Sequence, residues 1–137
     1  RLQYLLNYAN TENCLFTGYW RSDNTVQPSD KDIYASVYTY DTKHRRGMQR
    51  KQKRALIVFL NTNNRKQDIY LGGTTFDPLQ LPRKQYSGQH KKCSIKRVFD
   101  VETDKTVNTV FENGKIKLAE PILLGWHDYK LLMVEFD

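Results

Sequence analysis

Between positions 33 and 40 the chain alternates. Ile33, Ala35, Val37 and Thr39 share one face of an extended strand, and Tyr34, Ser36, Tyr38 and Tyr40 the other. The two faces differ in polarity, as expected of a sheet with one covered side. Positions 55–60, ALIVFL, instead form a nearly continuous apolar run of β-branched and aromatic residues, which predicts a central strand buried on both faces. Further strand-like runs occupy 67–71, 94–101, 106–111, 116–118, 121–124 and 129–136. The sequence Glu112-Asn113-Gly114-Lys115 between two of them predicts a tight hairpin, because a type I′ turn needs positive φ at both central residues. Residues 15–20, LFTGYW, read as a short strand or a tight approach of the backbone at the glycine. Polar stretches at 21–31 and 61–66 read as loop and turn, and 76–92, with Pro78 and Pro82, as a long irregular connection.

The opening segment differs. Leu2, Leu5 and Leu6 with Tyr4 and Tyr8 have the spacing of the last turns of an amphipathic helix. The expected architecture is therefore all-β: an antiparallel β-sandwich of about eight strands over 13–137, with a short N-terminal helical segment at 1–12 that is the tail of a preceding helical element. A chain that opens in mid-helix is expected to be a piece of a larger protein. Its first residues are too polar and too interrupted for a signal peptide.

Length supports one domain: 137 residues bury roughly 65–70% of the surface the unfolded chain exposes. Nine Tyr, six Phe and two Trp enlarge the apolar area available to a core and argue against disorder. No apolar run approaches the roughly 20 residues of a spanning helix, so no membrane partner is expected.

Charge changes the picture at one place. The net charge is +7, and the stretch 43–54 (KHRRGMQRKQKR) contains Lys43, Arg45, Arg46, Arg50, Lys51, Lys53 and Arg54 and no acid. Removing it leaves 15 bases against 15 acids. It lies between two strand-like runs, so it reads as the loop of a long hairpin. Such a loop can hold a polyanion, sulfated glycan or nucleic acid, by releasing counterions, and Lys91, Lys92, Lys96 and Arg97 would extend the patch if the fold brings them near. It lacks the interleaved aromatics of most nucleic-acid modules. A solvated tip kept extended by its own charge is the competing reading, and its dibasic end also suits proteolytic processing.

Candidate chemistry is sparse. His44, His90 and His127 have no second ligand at metal-site spacing, and no metal or cofactor is expected. Trp126-His127-Asp128 suggests an acid–base pair, but neighbours along a strand point to opposite faces, so Trp126 is expected on the core with His127 marking a turn. Glycoside hydrolysis needs two carboxylates held across a sugar ring. Here Asp100, Glu102, Asp104, Glu135 and Asp137 read as scattered and solvated, and the chain alone is not expected to be an enzyme. Cys14 and Cys93 are either separate thiols or one disulfide closing a long loop, worth about 4–5 kcal/mol in the chain-entropy model. An extracellular or secretory-pathway location is the favoured expectation. Tyr19, Trp20, Tyr38 and Tyr40 form a sugar-stacking platform if they face solvent, and part of the core if they do not. Tyr19, Trp20 and Trp126 are the candidate carbohydrate contacts.

The order of segments FTGYWRSDNTV, DIYASVYTYD, ALIVFLN, IKRVFDVETDKTV, NGKIKL and HDYKLLMVEF resembles the C-terminal β-sandwich that follows the catalytic (β/α)-barrel of several glycoside hydrolases. The α-N-acetylgalactosaminidases and similar exo-acting enzymes are nearest in pattern. Leu60-Asn61, Val98-Phe99-Asp100 and 129–135 fall at the matching strand positions. The resemblance implies a non-catalytic ancillary domain of a glycoside-hydrolase-like parent, with a catalytic domain as partner and glycan or an acidic polymer as a further contact. The family's catalytic carboxylates lie in the barrel, so none transfers to a residue here. The basic loop and the 76–92 connection are longer than the pattern needs.

Overall fold

The computed structural model describes residues 14–20, 26–40, 54–76 and 95–136. Among these the chain forms eleven strands and no helix: β1 (Cys14–Thr17), β2 (Val26–Gln27), β3 (Ile33–Tyr40), β4 (Arg54–Asn61), β5 (Ile69–Tyr70), β6 (Thr75–Phe76), β7 (Ile95–Asp100), β8 (Thr109–Glu112), β9 (Lys115–Leu118), β10 (Leu123–Leu124) and β11 (Tyr129–Phe136). They pair antiparallel in a five-stranded sheet of order β1-β3-β4-β11-β7, a four-stranded sheet of order β2-β6-β9-β8, and a two-stranded β10-β5 pair. The predicted helical segment at 1–12 lies outside the described residues.

The alternation in β3 is realised. Ile33, Ala35 and Val37 are buried, and they join Ile57 and Phe59 of β4 and Leu132 and Val134 of β11 in the main core. The four-stranded sheet supplies Val26, Phe76, Ile116 and Leu118 from the other side, which makes the arrangement sandwich-like. The continuous run of β4 is buried on both faces as expected. Leu56, on its outer face, forms a second cluster with Leu131, Met133 and Val101, against which Tyr38, Val58, Phe99 and Tyr129 pack half-buried. Burying both faces of β4 explains why its sequence does not alternate.

β5 and β10 fall within the runs 67–71 and 121–124, and the strands beyond the expected runs are β2 and β6, which have only two residues each, too short to carry a period. The run 106–111 divides. Thr106 bridges Phe99 and the Val107 N–H donates to the Val98 carbonyl at 2.8 Å, so this part lines the edge of β7 before the chain crosses to β8. The Asn113-Gly114 hairpin is present, with φ of 53° and 77° at the two positions.

One charged group corrects the reading of solvated carboxylates. Asp100 is buried: its Oδ2 accepts from Lys130 Nζ at 2.9 Å and its Oδ1 from the backbone N–H of Glu102 and Thr103. Glu135 is half-exposed, with Arg54 and Arg97 as its register partners on the two sides. Asp104 is exposed as expected, and it meets Arg97 Nη2 at 3.5 Å.

Candidate functional site

At the end of the five-stranded sheet where β3 begins and β4 ends, one row of register partners runs Tyr34–Leu60–Tyr129. Each lies on the outer face, by the same parity that sends Ile33 and Phe59 inward. Tyr34 and Leu60 remain 36% and 40% exposed, although they sit beside a cluster whose central members are buried.

The segment after β1 extends this row. Tyr19 stacks on Tyr34 with centroids 4.0 Å apart and planes 8° from parallel. Trp20 meets Tyr19 edge-on at 5.1 Å and 88°. Gly18 explains where the indole rests. A Cβ at that position would overlap three carbons of the Trp20 benzo ring, all at nearly equal distance. That equality places the face of the ring, not its rim, against Gly18. A side chain there would evict the indole. With one face seated on backbone, Trp20 is still 67% exposed. The result is a continuous strip, Trp20–Tyr19–Tyr34–Leu60, in which the outermost ring is held in place before anything binds.

The polar end of the sandwich beside this strip is cross-linked by side-chain hydrogen bonds. Asn61 is fully buried, donating through Nδ2 to the carbonyls of Gln67 and Leu124 and accepting the Asn63 N–H at Oδ1. Asn63 in turn donates to Asp32 Oδ2 at 3.0 Å, and the Thr62 hydroxyl donates to the Asp32 carbonyl. These bonds tie the start of β3 to the end of β4, and so fix Tyr34 against Leu60. Tyr129 Oη, under the same row, is buried without a hydrogen-bond partner among the described residues. Tyr129→Phe removes an unsatisfied group while keeping the ring, and should leave stability unchanged or raise it by about 1 kcal/mol in urea unfolding.

Of the sequence candidates, Tyr19 and Trp20 come together on this strip. Trp126 does not join it through any described ring contact. Its ring lies 3.9 Å from that of His127, and Lys66 Nζ is 5.3 Å from its centroid, while its backbone N–H donates to Asp68 Oδ1. The expectation that Trp126 enters the core fails: it is 37% exposed. Residues 125–128 form a turn closed by the Asp128 N–H on the Gly125 carbonyl, with His127 at φ 57°. A turn brings neighbouring rings together where a strand would separate them.

Tyr38 packs half-buried in the outer cluster. Lys43, Arg45, Arg46, Arg50, Lys51, Lys53, His44, His90 and Cys93 lie outside the described residues, and with them the proposed Cys14–Cys93 bond. β3 and β4 are antiparallel neighbours whose last register pair is Thr39–Ala55. Arg54 opens β4. The end of β3 and the start of β4 thus lie at the end of the sheet opposite Tyr34, roughly 20 Å away at about 3.3 Å per residue. Arg97, a suggested extension of the basic patch, is engaged by Thr106 and Asp104 and lies 4.3 Å over Phe99. Among the described residues no group of three His, Cys, Asp or Glu side chains is placed to hold a metal ion.

Sequence reasoning did not find Tyr34, Leu60 and the seat at Gly18 as parts of one surface. The glycine inside LFTGYW was the available signal, and the cross-strand partners were not readable without the register.

No family model matches the sequence, and no curated protein does. Among solved structures the chain is similar to "Alpha-L-fucosidase isoenzyme 2 from Paenibacillus thiaminolyticus", with a TM-score of 0.47 and 13% identity over 85% of this chain. This chain spans 16% of that protein's length. A likeness at that score carries no argument about function.

Proposed function

We propose that this chain is a non-catalytic, sandwich-like module of a glycoside-hydrolase-like protein, of the kind that follows a (β/α)-barrel in α-N-acetylgalactosaminidases and related enzymes. In this reading it packs on the catalytic domain of its parent and contacts glycan through Trp20 and Tyr19. The observation that carries the proposal is the exposed indole seated on Gly18 beside the Tyr19–Tyr34 stack. A pyranose presents C–H groups on its ring face and hydroxyls at its rim. It can bury the former on an aromatic ring while the latter stay hydrated. Because the indole is ordered beforehand, binding costs little side-chain entropy. The order of strand segments supplies the link to glycoside hydrolases, and the exposed Leu60 at the end of the strip gives an apolar surface of the kind domain contacts use.

The test is calorimetric titration of the chain with a panel of neutral oligosaccharides. Binding should be weak and nearly independent of salt, since no ion pairs form. Trp20→Ala should weaken it at least tenfold, about 1.4 kcal/mol. Gly18→Ala should do nearly the same, because the new methyl displaces the ring. Saccharide binding unchanged by both substitutions would refute the assignment. So would an affinity confined to heparin that falls steeply with salt and depends on 43–54.

A further inference from the structure

β8 is the outer strand of the four-stranded sheet, and it is open in an unusual way. Its register with β9 pairs Thr109 with Leu118, Val110 with Lys117, Phe111 with Ile116 and Glu112 with Lys115. Ile116 and Leu118 face the main core, so Phe111 and Thr109 lie on that same inner face. Yet Phe111 is 70% exposed. It is a core-facing phenylalanine on a strand that the opposite sheet does not reach. Val110, on the outer face, is 46% exposed.

The backbone of this edge is open too. The Ala119 N–H donates to the Asn108 carbonyl at 2.9 Å, which sets the parity: residues 108, 110 and 112 bond toward β9. The N–H and C=O groups of Thr109 and Phe111 therefore point away from the sheet. Of the other outer strands, β2 has two residues and β7 is lined by Thr106 and Val107, while β1, also of four residues, forms the far edge of the five-stranded sheet. Natural edges are usually blunted by proline, bulges or inward-pointing charge, and β8 has none of these.

We infer that β8 pairs with β8 of a second copy of this chain, antiparallel about a two-fold axis through Val110, joining two four-stranded sheets into one of eight strands. Self-complementarity selects this occupant. In the register that places Thr109 opposite Phe111 of the other copy, all four outward groups of each chain are used, giving four hydrogen bonds. A shift by two residues in either direction strands some of them. In the same register Glu112 faces Asn108, so no like charges are opposed, and Glu112 keeps its own Lys117 at 3.6 Å. The two Phe111 rings become diagonal neighbours on one face, within reach of each other, and cover what each chain leaves exposed. Four residues per chain fall well short of the ~1,000 Å² of a stable interface, so the pair dissociates on dilution.

Sedimentation of the 137-residue chain should show the average mass rising toward that of a dimer between about 10 µM and about 1 mM. Phe111→Lys should weaken the association at least tenfold. Val110→Cys tests the axis itself, since residue 110 would face its own copy in a non-hydrogen-bonded pair, where Cα atoms are about 4.5 Å apart. Mild oxidation should cross-link it far more than wild type, which has only Cys14 and Cys93, and more than Glu112→Cys. Hydrogen exchange at Thr109 and Phe111 should be fast in dilute solution and slow when concentrated. A monomer at every concentration overturns the proposal, as does preferential cross-linking through residue 112. Slow exchange at both amides in dilute solution would show that the chain covers its own edge, and would overturn it equally.

Discussion

Asn61→Ala should destabilise the chain by about 3–4 kcal/mol, the largest loss expected from removing one polar side chain here. Asn61 is fully buried on the inner side of β4, and its amide serves three backbone groups: the carbonyls of Gln67 and Leu124 and the N–H of Asn63. An alanine leaves the Asn63 N–H and the Gln67 carbonyl without this partner and removes one of the bonds at the Leu124 carbonyl, which is also paired with Ile69, at about 1–3 kcal/mol for each group left unsatisfied before relaxation. Part of that is recovered as the 61–68 turn loosens, which is why the expected loss is less than the sum. Asn61→Asp distinguishes hydrogen bonding from packing. It keeps the shape and the acceptor for Asn63 but presents oxygen to two carbonyls, and should cost as much or more. Urea unfolding with an unchanged m-value is the check. A loss below about 1 kcal/mol for both variants would mean that the amide does not hold this end of the sandwich.

Asp100→Ala should cost about 2–4 kcal/mol. The carboxylate accepts three hydrogen bonds, two from the turn after β7 and one from Lys130 on the neighbouring β11. The lysine side chain is 23% exposed, so truncating Asp100 leaves a half-buried ammonium without its partner. It also frees the Glu102 and Thr103 N–H groups, in a turn where Asp104 already sits at φ 59°. Asp100→Asn keeps the acceptor for the turn and loses the charge, and should cost roughly half as much. Lys130→Met replaces the ammonium by an apolar group of similar length, and its cost should be smaller than that of Asp100→Ala because the turn bonds survive. If Lys130→Met proves the more damaging of the two, the ion pair and not the turn is the main support.

Both residues show what could be read from the sequence and what could not. Asn61 closes the ALIVFLN segment and Asp100 the VFD segment, so their positions belonged to the strand pattern that suggested a sandwich. Their roles did not, because the groups they serve arrive from residues as distant as Leu124 and Lys130. The strong periods were legible: alternation in β3, the unbroken run of β4, the Asn-Gly hairpin, and β11 over its full length. The two-residue strands β2 and β6 were not, since pairing there is imposed by the neighbouring strand.

The candidate site followed the same division. Tyr19 and Trp20 were identifiable as exposed-aromatic candidates, and Gly18 as a place of close approach. That Tyr34 and Leu60 complete the strip depends on the register of β3 with β4; the turn at His127 was legible, but Trp126 was misplaced because it was read as packing on the core. The basic stretch at 43–54 accounts for the net charge, and it connects the strand ends farthest from the aromatic strip.

That separation makes one measurement decisive. In an amide-detected NMR titration of the 137-residue chain with a neutral oligosaccharide, shifts should concentrate at Gly18, Tyr19, Trp20, Tyr34 and Leu60, including the Trp20 indole N–H. Residues near Thr39 and Ala55 should stay still. Shifts centred on that opposite end, or on no part of the Trp20–Leu60 strip, would contradict a glycan contact through the seated indole.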